Sequence, residues 1–297
     1  MTRSWTNSYA GVTLGKNELG MTCLILGLGS LWRFLIAYRD RGRPCRSRRL
    51  ITHGALLAIV LWLFLMANSM TSLSCFILAG TVMTLASRPS LARSSSAVHL
   101  LVVAAVGISL FALFADRNMV TLVGRNPTLT GRTEIWDGVL SVPHNPVMGA
   151  GYESFFLGPR LDEFWSMPGC NGLQEAHNGY LEVYLNLGWI GVSLFAMVMA
   201  NGYRKVIAAF RAKPEVSSLN VAYFVAAVIY SFTEAGFRMM SPIWTFFLWA
   251  IVAASQATSQ EGLSVVAIDS TTDVAESEST LYDGLGVAFL RGPDESV

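Results

Sequence analysis

HNGYLEVYLNLGWIGVSLFAMVMANGY, residues 177–203, decides the fold. From Gly179 to Tyr203 the run carries one charge, Glu182. It is long enough to cross a hydrocarbon core of roughly 30 Å as a helix, which needs about 20 apolar residues. Immediately before it stand a titratable ring, His177, and an amide, Asn178. Residues 116–178 are polar, and the segment before them is apolar again. A water-exposed loop therefore re-enters a membrane helix at His177.

Composition extends this reading to the whole chain. Hydrophobic residues make up 53% and charged residues 14% of 297 residues, against about 25% charged in a soluble domain. The apolar runs do not alternate, as barrel strands would. The expected fold is an all-α polytopic membrane protein with seven spans. These are 20–38, 50–68, 69–87, 97–115, 179–203, 218–237 and 240–257. Arg33, Glu234 and Pro242 interrupt otherwise apolar spans. The expected parts are residues 1–115 with four spans, loop 116–178, residues 179–257 with three spans, and tail 258–297.

Charge orients the spans. Six arginines between Arg39 and Arg49, then Arg88 and Arg93, then Arg204, Lys205, Arg211 and Lys213 fall on one side if the spans alternate. That side is cytoplasmic by the positive-inside rule. Loop 116–178, with four Arg and seven acidic residues, is then outside, and the C-terminus is inside. The tail is rich in Ser, Thr, Asp and Glu and buries too little to offset its ordering entropy, so it reads as disordered. Cys23, Cys45, Cys75 and Cys170 have no zinc-like spacing, and no disulfide is expected. No cleavable leader is visible.

The chemistry-bearing residues gather in the outer loop. Arg125 and Arg132 offer planar donor forks that suit phosphate oxygens. Their other reading, the commoner one for such arginines, is as partners of Glu134 and Asp137 or of lipid headgroups. Trp136 supplies an aromatic platform. His177 is either a base near the bilayer or a helix-end residue bonded to backbone. Asn178 either binds substrate or caps the helix that follows. Gly188 and Gly191 allow close helix approach. Tyr152, Phe155, Phe156, Phe164 and Trp165 read mostly as an interfacial belt. Glu234, a carboxylate in an apolar span, is a functional candidate by default, unless the span ends a turn earlier. HExxH, P-loop, GxSxG and outer-loop DxD patterns are absent. No cofactor, metal or nucleic-acid partner is expected.

GRNPTLTGRTEIW at 124–136 resembles the loop signature of the O-antigen ligase/polymerase superfamily, in its exopolysaccharide-polymerase branch. PVMGAGYESF at 146–155 is similar to that family's next block. His177-Asn178-x9-Gly188-x2-Gly191 matches its motif at the loop's end. LGKNELG at 14–20 and ANSMTSL at 67–73 resemble two further blocks. The resemblance implies a metal-independent glycosyltransferase of the bacterial inner membrane. The implied partners are an undecaprenyl-diphosphate-linked glycan donor, a glycan or lipid-linked acceptor, the bilayer and other polysaccharide assembly proteins. It gives His177 and Arg132 catalytic roles and Arg125, Glu134, Trp136 and Asn178 substrate contacts. It departs at Met70, where ligases often carry an arginine. Family members have about 10–14 spans, which implies a chain lacking N-terminal spans. A flippase of polyprenyl-linked sugars and a non-catalytic remnant are the alternatives. A flippase predicts polar groups along several spans, whereas here they gather in one loop.

Overall fold

The computed structural model describes residues 13, 15–42, 44–92, 94–123, 130–257 and 259. Within these, only the backbone course is described for 95, 113–123 and 130–131. The chain divides into two compact units, Met1–Ala254 and Ser255–Val297. Of the second, residues 255–257 and 259 are described, as helix. Apart from Ser259, the expected disordered tail lies outside the described residues, as does Arg125.

Among the described residues the named elements are all helices. They are α1 (Lys16–Arg39), α2 (Arg46–Ala67), α3 (Met70–Ala86), α4 (Pro89–Ala92), α5 (Ser95–Val123), α6 (Thr130–Ser141), α7 (Pro159–Ser166), α8 (Gly179–Ala212) and α9 (Pro214–Tyr230), followed by α10 (Pro242–Ala257). α1, α2 and α8 are long and apolar enough to cross a membrane, and α3, α9, α10 and the Ser96–Ala112 part of α5 are shorter apolar helices. Each expected span falls on one of these.

The sixth span differs from its expected bounds. α9 stops at Tyr230, and Ser231–Ser241 forms turns. Phe232 and Thr233 bond back to carbonyls three residues earlier and Glu234 to Tyr230, a tightening that ends a helix. Glu234 therefore lies in the turn after the helix. The seventh span starts at Pro242, where a proline's missing N–H costs nothing.

α1 packs along α2 and α3, α3 along α9, and α9 along α8 and α5. Small residues set the closest approaches. A Cβ on Gly20 would lie 2.6 Å from the Ser72 hydroxyl and one on Gly27 2.9 Å from the Phe76 ring. Lipid tails supply no hydrophobic drive between helices, so such close packing and hydrogen bonds hold them together. The outward faces stay apolar: Ile51, Trp62 and Leu65 on α2 and Leu194 and Met197 on α8 are exposed.

The loop between α5 and α8 is folded around its own core. Val139, Val142, Phe155, Phe164, Cys170, Ala176 and Leu185 are buried together. Phe155 and Phe164 are thus interior residues and not belt residues, and Trp165 donates its Nε1–H to the Leu173 carbonyl. All four cysteines are free, Cys170 buried and Cys45 exposed.

The loop is locked to α8 by a break in that helix. Gly188 has φ 60° and ψ −162°, non-helical inside a 34-residue helix. The break releases backbone groups of residues 185–190 from the helix ladder. The Asn145–Gly151 turn meets them. Ala150 and Gly151 donate to the Leu185 and Asn186 carbonyls, and Trp189 and Ile190 donate to the Pro146 and Val147 carbonyls, at 2.9–3.1 Å. A Cβ on Gly188 would lie 2.3 Å from the Val147 oxygen, and one on Gly149 2.4 Å from the Asn186 carbonyl. Gly188 therefore admits a loop backbone, not a neighbouring helix as its spacing suggested.

Candidate active site

The site is assembled where the loop enters α8. Asn178 is the N-cap of α8, its side-chain oxygen accepting from the Tyr180 and Leu181 amides at 3.0 and 3.1 Å. Gly179 follows, and its N–H reaches the Ser231 and Glu234 carbonyls at 2.8 and 3.0 Å. A Cβ there would sit 2.9 Å from that of Ser231. Glycine is what lets the α9–α10 turn lie against the start of α8, and this contact brings Glu234 to His177.

The preceding residues are clamped from two sides. Trp136 donates its indole N–H to the Ala176 carbonyl at 2.9 Å. The Ala176 amide donates to a Glu182 carboxylate oxygen at 2.7 Å. Between clamp and cap, His177 takes φ 49°, a left-handed conformation uncommon outside glycine. The chain thus reverses at His177 and turns its ring toward two carboxylates.

His177 Nδ1 lies 2.9 Å from Glu175 Oε1 and 3.4 Å from Glu234 Oε2. Arg132 Nη2 donates to Glu234 Oε1 at 2.9 Å. Asn17 Nδ2, from the first turn of α1, donates to Glu234 Oε2 at 3.2 Å. Arg238 stands more loosely between Glu175 at 3.4 Å and Glu153 at 3.6 Å. Lys16, Asn17, Glu175, Tyr230, Glu234 and Arg238 line a cavity of about 870 Å³.

Charge settles how the ring sits. The hydrogen bonds to Glu175 and Glu234 outweigh burial and raise the His177 pKa to about 9, so in the unliganded site the imidazole is protonated at neutral pH. Burial acts to raise the Glu175 pKa, but its bonds to His177 and Arg238 hold it below the usual carboxylate value. Nδ1 is committed to carboxylates, so any proton exchange with a substrate passes through Nε2.

Donor atoms of Glu175, His177 and Glu234 lie within 4.8 Å of one another, a spacing that suits a metal ion. The same carboxylates already face Arg132, Arg238 and the protonated ring. Their charge is balanced by the protein, and we assign no ion there.

The sequence-derived residues therefore separate. Arg132 and His177 are brought together through Glu234. Trp136, one helical turn from Arg132, supports the backbone beneath His177. Asn178 is committed to its cap. Glu134 is exposed and turns the other way, with Oε2 3.7 Å from where a Gly169 Cβ would stand. His144 bonds the Val142 carbonyl and packs edge-on to Phe155 and Tyr184. Sequence reasoning missed Glu175 and Arg238, which carry no special spacing. It named Glu234 as a candidate but put it inside a span. The proximity of Lys16-Asn17 to the chemistry was signalled only by their position before the first span and by the LGKNELG block at 14–20.

The O-Antigen ligase family profile matches residues 19–196, which include Arg132, Trp136, His177 and Gly188. The chain is also similar to the exopolysaccharide production protein ExoQ of Rhizobium meliloti (strain 1021), with 31% identity over 87 residues. That alignment covers 27% of this chain and 20% of the relative's length. With more than half of its length matched, the chain belongs to the O-antigen ligase family.

Proposed function

We propose that this chain carries the reactive site of a membrane glycosyltransferase that polymerises or ligates undecaprenyl-diphosphate-linked glycans. The observation that carries the reading is the position of His177. Its Nδ1 faces Glu175 and Glu234, and Arg132 holds the other oxygen of Glu234. A hydroxyl of the acceptor sugar attacks the anomeric carbon of the donor. The new C–O bond forms as the bond to the diphosphate breaks, and the diphosphate leaves with the electron pair. The hydroxyl proton passes to His177 Nε2, with the carboxylates at Nδ1 stabilising the resulting imidazolium. The leaving group needs charge neutralisation and no proton at neutral pH, a task for preorganised cations. Arg132 supplies that charge in this reading, without a metal.

Because the free site holds a proton on His177 up to about pH 9, the base form becomes more populated as pH rises. The rate should climb with pH and level off near that value. In this reading the arginine-rich loops face the cytoplasm by the positive-inside rule, which supports a site on the outer face of the cytoplasmic membrane. Gathering of the described charges at one loop–helix junction favours transfer chemistry over transport, which would need polar groups along several spans.

The test is complementation in host cells lacking their own copy, with protein abundance followed by immunoblot. His177→Ala should remain inserted and lose polymer formation by about 10²–10⁴-fold, the range of a general base. Polymer at the parental rate from His177→Ala would refute the assignment.

A further inference from the structure

The α9–α10 turn lies outside residues 19–196, the segment covered by the family profile, yet the site converges on it. Glu234 is only 5% exposed. A buried carboxylate is costly unless its oxygens are satisfied, and here three separate parts of the chain satisfy them. Asn17 comes from α1, Arg132 from α6 and His177 from the loop end. The backbone of the same residue accepts from Gly179, so Glu234 is tied to α8 by main chain as well as by side chain. Arg132 and His177 have no direct bond among the described contacts. Glu234 reaches both, one through each oxygen.

We propose that Glu234 is a positioning residue of the transferase site, whose two carboxylate oxygens couple Arg132 to His177 while Asn17 anchors the group. Arg132 acts on the ring through Glu234, in addition to any charge it presents to substrate. This rests on the proposed function only in its catalytic consequence; the coupling itself is a property of the resting protein.

Several charges act on the ring. Glu175 and Glu234 face Nδ1 directly. Arg132 acts through Glu234, Arg238 through Glu175, and Glu182 through the Ala176 amide. Lys16 and Glu18 stand on the cavity wall.

The experiment is a histidine titration by NMR, using nitrogen-labelled histidine in the whole protein reconstituted in phospholipid nanodiscs. The chain has four histidines, and loss of one signal in His177→Gln identifies the ring. In the parent it should titrate near 9. Glu234→Gln removes one of two carboxylates and should move the titration down. Arg132→Gln removes the cation competing for Glu234 and should move it up. In the Glu234→Gln background the same Arg132 substitution should move it by clearly less. Equal Arg132 shifts in both backgrounds, or an unmoved titration in Glu234→Gln, would overturn the proposal. If Glu234→Gln does not accumulate, Asn17→Ala removes only one donor from Oε2. It should raise the titration by a smaller amount, and no shift would count against the coupling.

Activity supplies the second arm. Glu234→Gln should lose between about 10-fold and 10⁴-fold, the span seen when a carboxylate orienting a histidine is removed. Its rising pH limb should move to lower pH, and Glu234→Asp should keep the limb nearer its parental place. A merely structural loss would lower the rate at every pH and leave the limb unmoved. If the titrations shift as expected while activity ignores His177, the coupling stands and the transferase reading fails.

Discussion

The two ends of the motif that begins at His177 and runs to Gly191 do opposite work. At its start, the side chain of His177 meets carboxylates and the side chain of Asn178 caps α8. At its far end, Gly188 has no side chain, and that is its contribution. The Val147 carbonyl occupies the space a Cβ would take. One end presents chemistry; the other admits backbone. The distance between them is fixed because residues 179–187 form one helical stretch. The break therefore locates the Asn145–Gly151 turn, and with it Glu153, relative to the charged site.

This contrast breaks most sharply at Gly188. Gly188→Val forces a branched side chain into a positive-φ conformation and against a carbonyl 2.3 Å away. The strained backbone alone costs on the order of 1–3 kcal/mol, and the clash adds the loss of the loop's hydrogen bonds to α8. The protein should fail to accumulate in membranes, as read by immunoblot. Normal abundance would mean that the break is not what docks the loop.

Arg132 tests the charged end. Arg132→Lys keeps the charge but loses the fixed guanidinium fork, so it should be nearly as damaging to polymer formation as Arg132→Ala, with abundance near parental. A fully active lysine variant would mean that charge alone suffices there.

Stability should also follow the charge on His177. A folded-state pKa raised from 6.5 to about 9 contributes stability that is fully present below about pH 6.5. It is lost as pH rises through about 9, and its size is on the order of 3 kcal/mol. Thermal unfolding of parent and His177→Gln, compared from about pH 6 to pH 10, should show the gap narrowing on the alkaline side. A gap independent of pH would show that the ring is not held by its charge.

The smallest effect belongs to Asn178. Asn178→Ala removes a helix cap, worth about 0.5–2 kcal/mol, and should lower thermal stability while leaving most activity. Activity lost at full stability would restore Asn178 as a substrate contact.

Much of the helical architecture was legible because a bilayer demands long apolar runs, and those runs survive in composition whatever their packing. The position of every expected span on an apolar helix follows from that demand. Glu234 shows where such reading stops. An apolar window cannot register that Ser231–Ser241 leaves the helix, because the helix ends there through turn hydrogen bonds and the docking of Gly179. Glu134 shows the same limit at short range. It stands two residues from Arg132, but that step on a helix points it to the opposite side.

Composition, charge runs and local motifs thus carried the helical membrane fold, the seven apolar helices and the folded loop between α5 and α8. These are local properties, set by the solvent each segment must meet and by side-chain chemistry. Tertiary structure alone decided that Arg132 and His177 meet through Glu234, that Glu175 and Arg238 join them, and that Gly188 receives a loop. Such contacts join residues far apart along the chain, from Asn17 to Glu234, and no local pattern encodes which distant carboxylate a histidine will find.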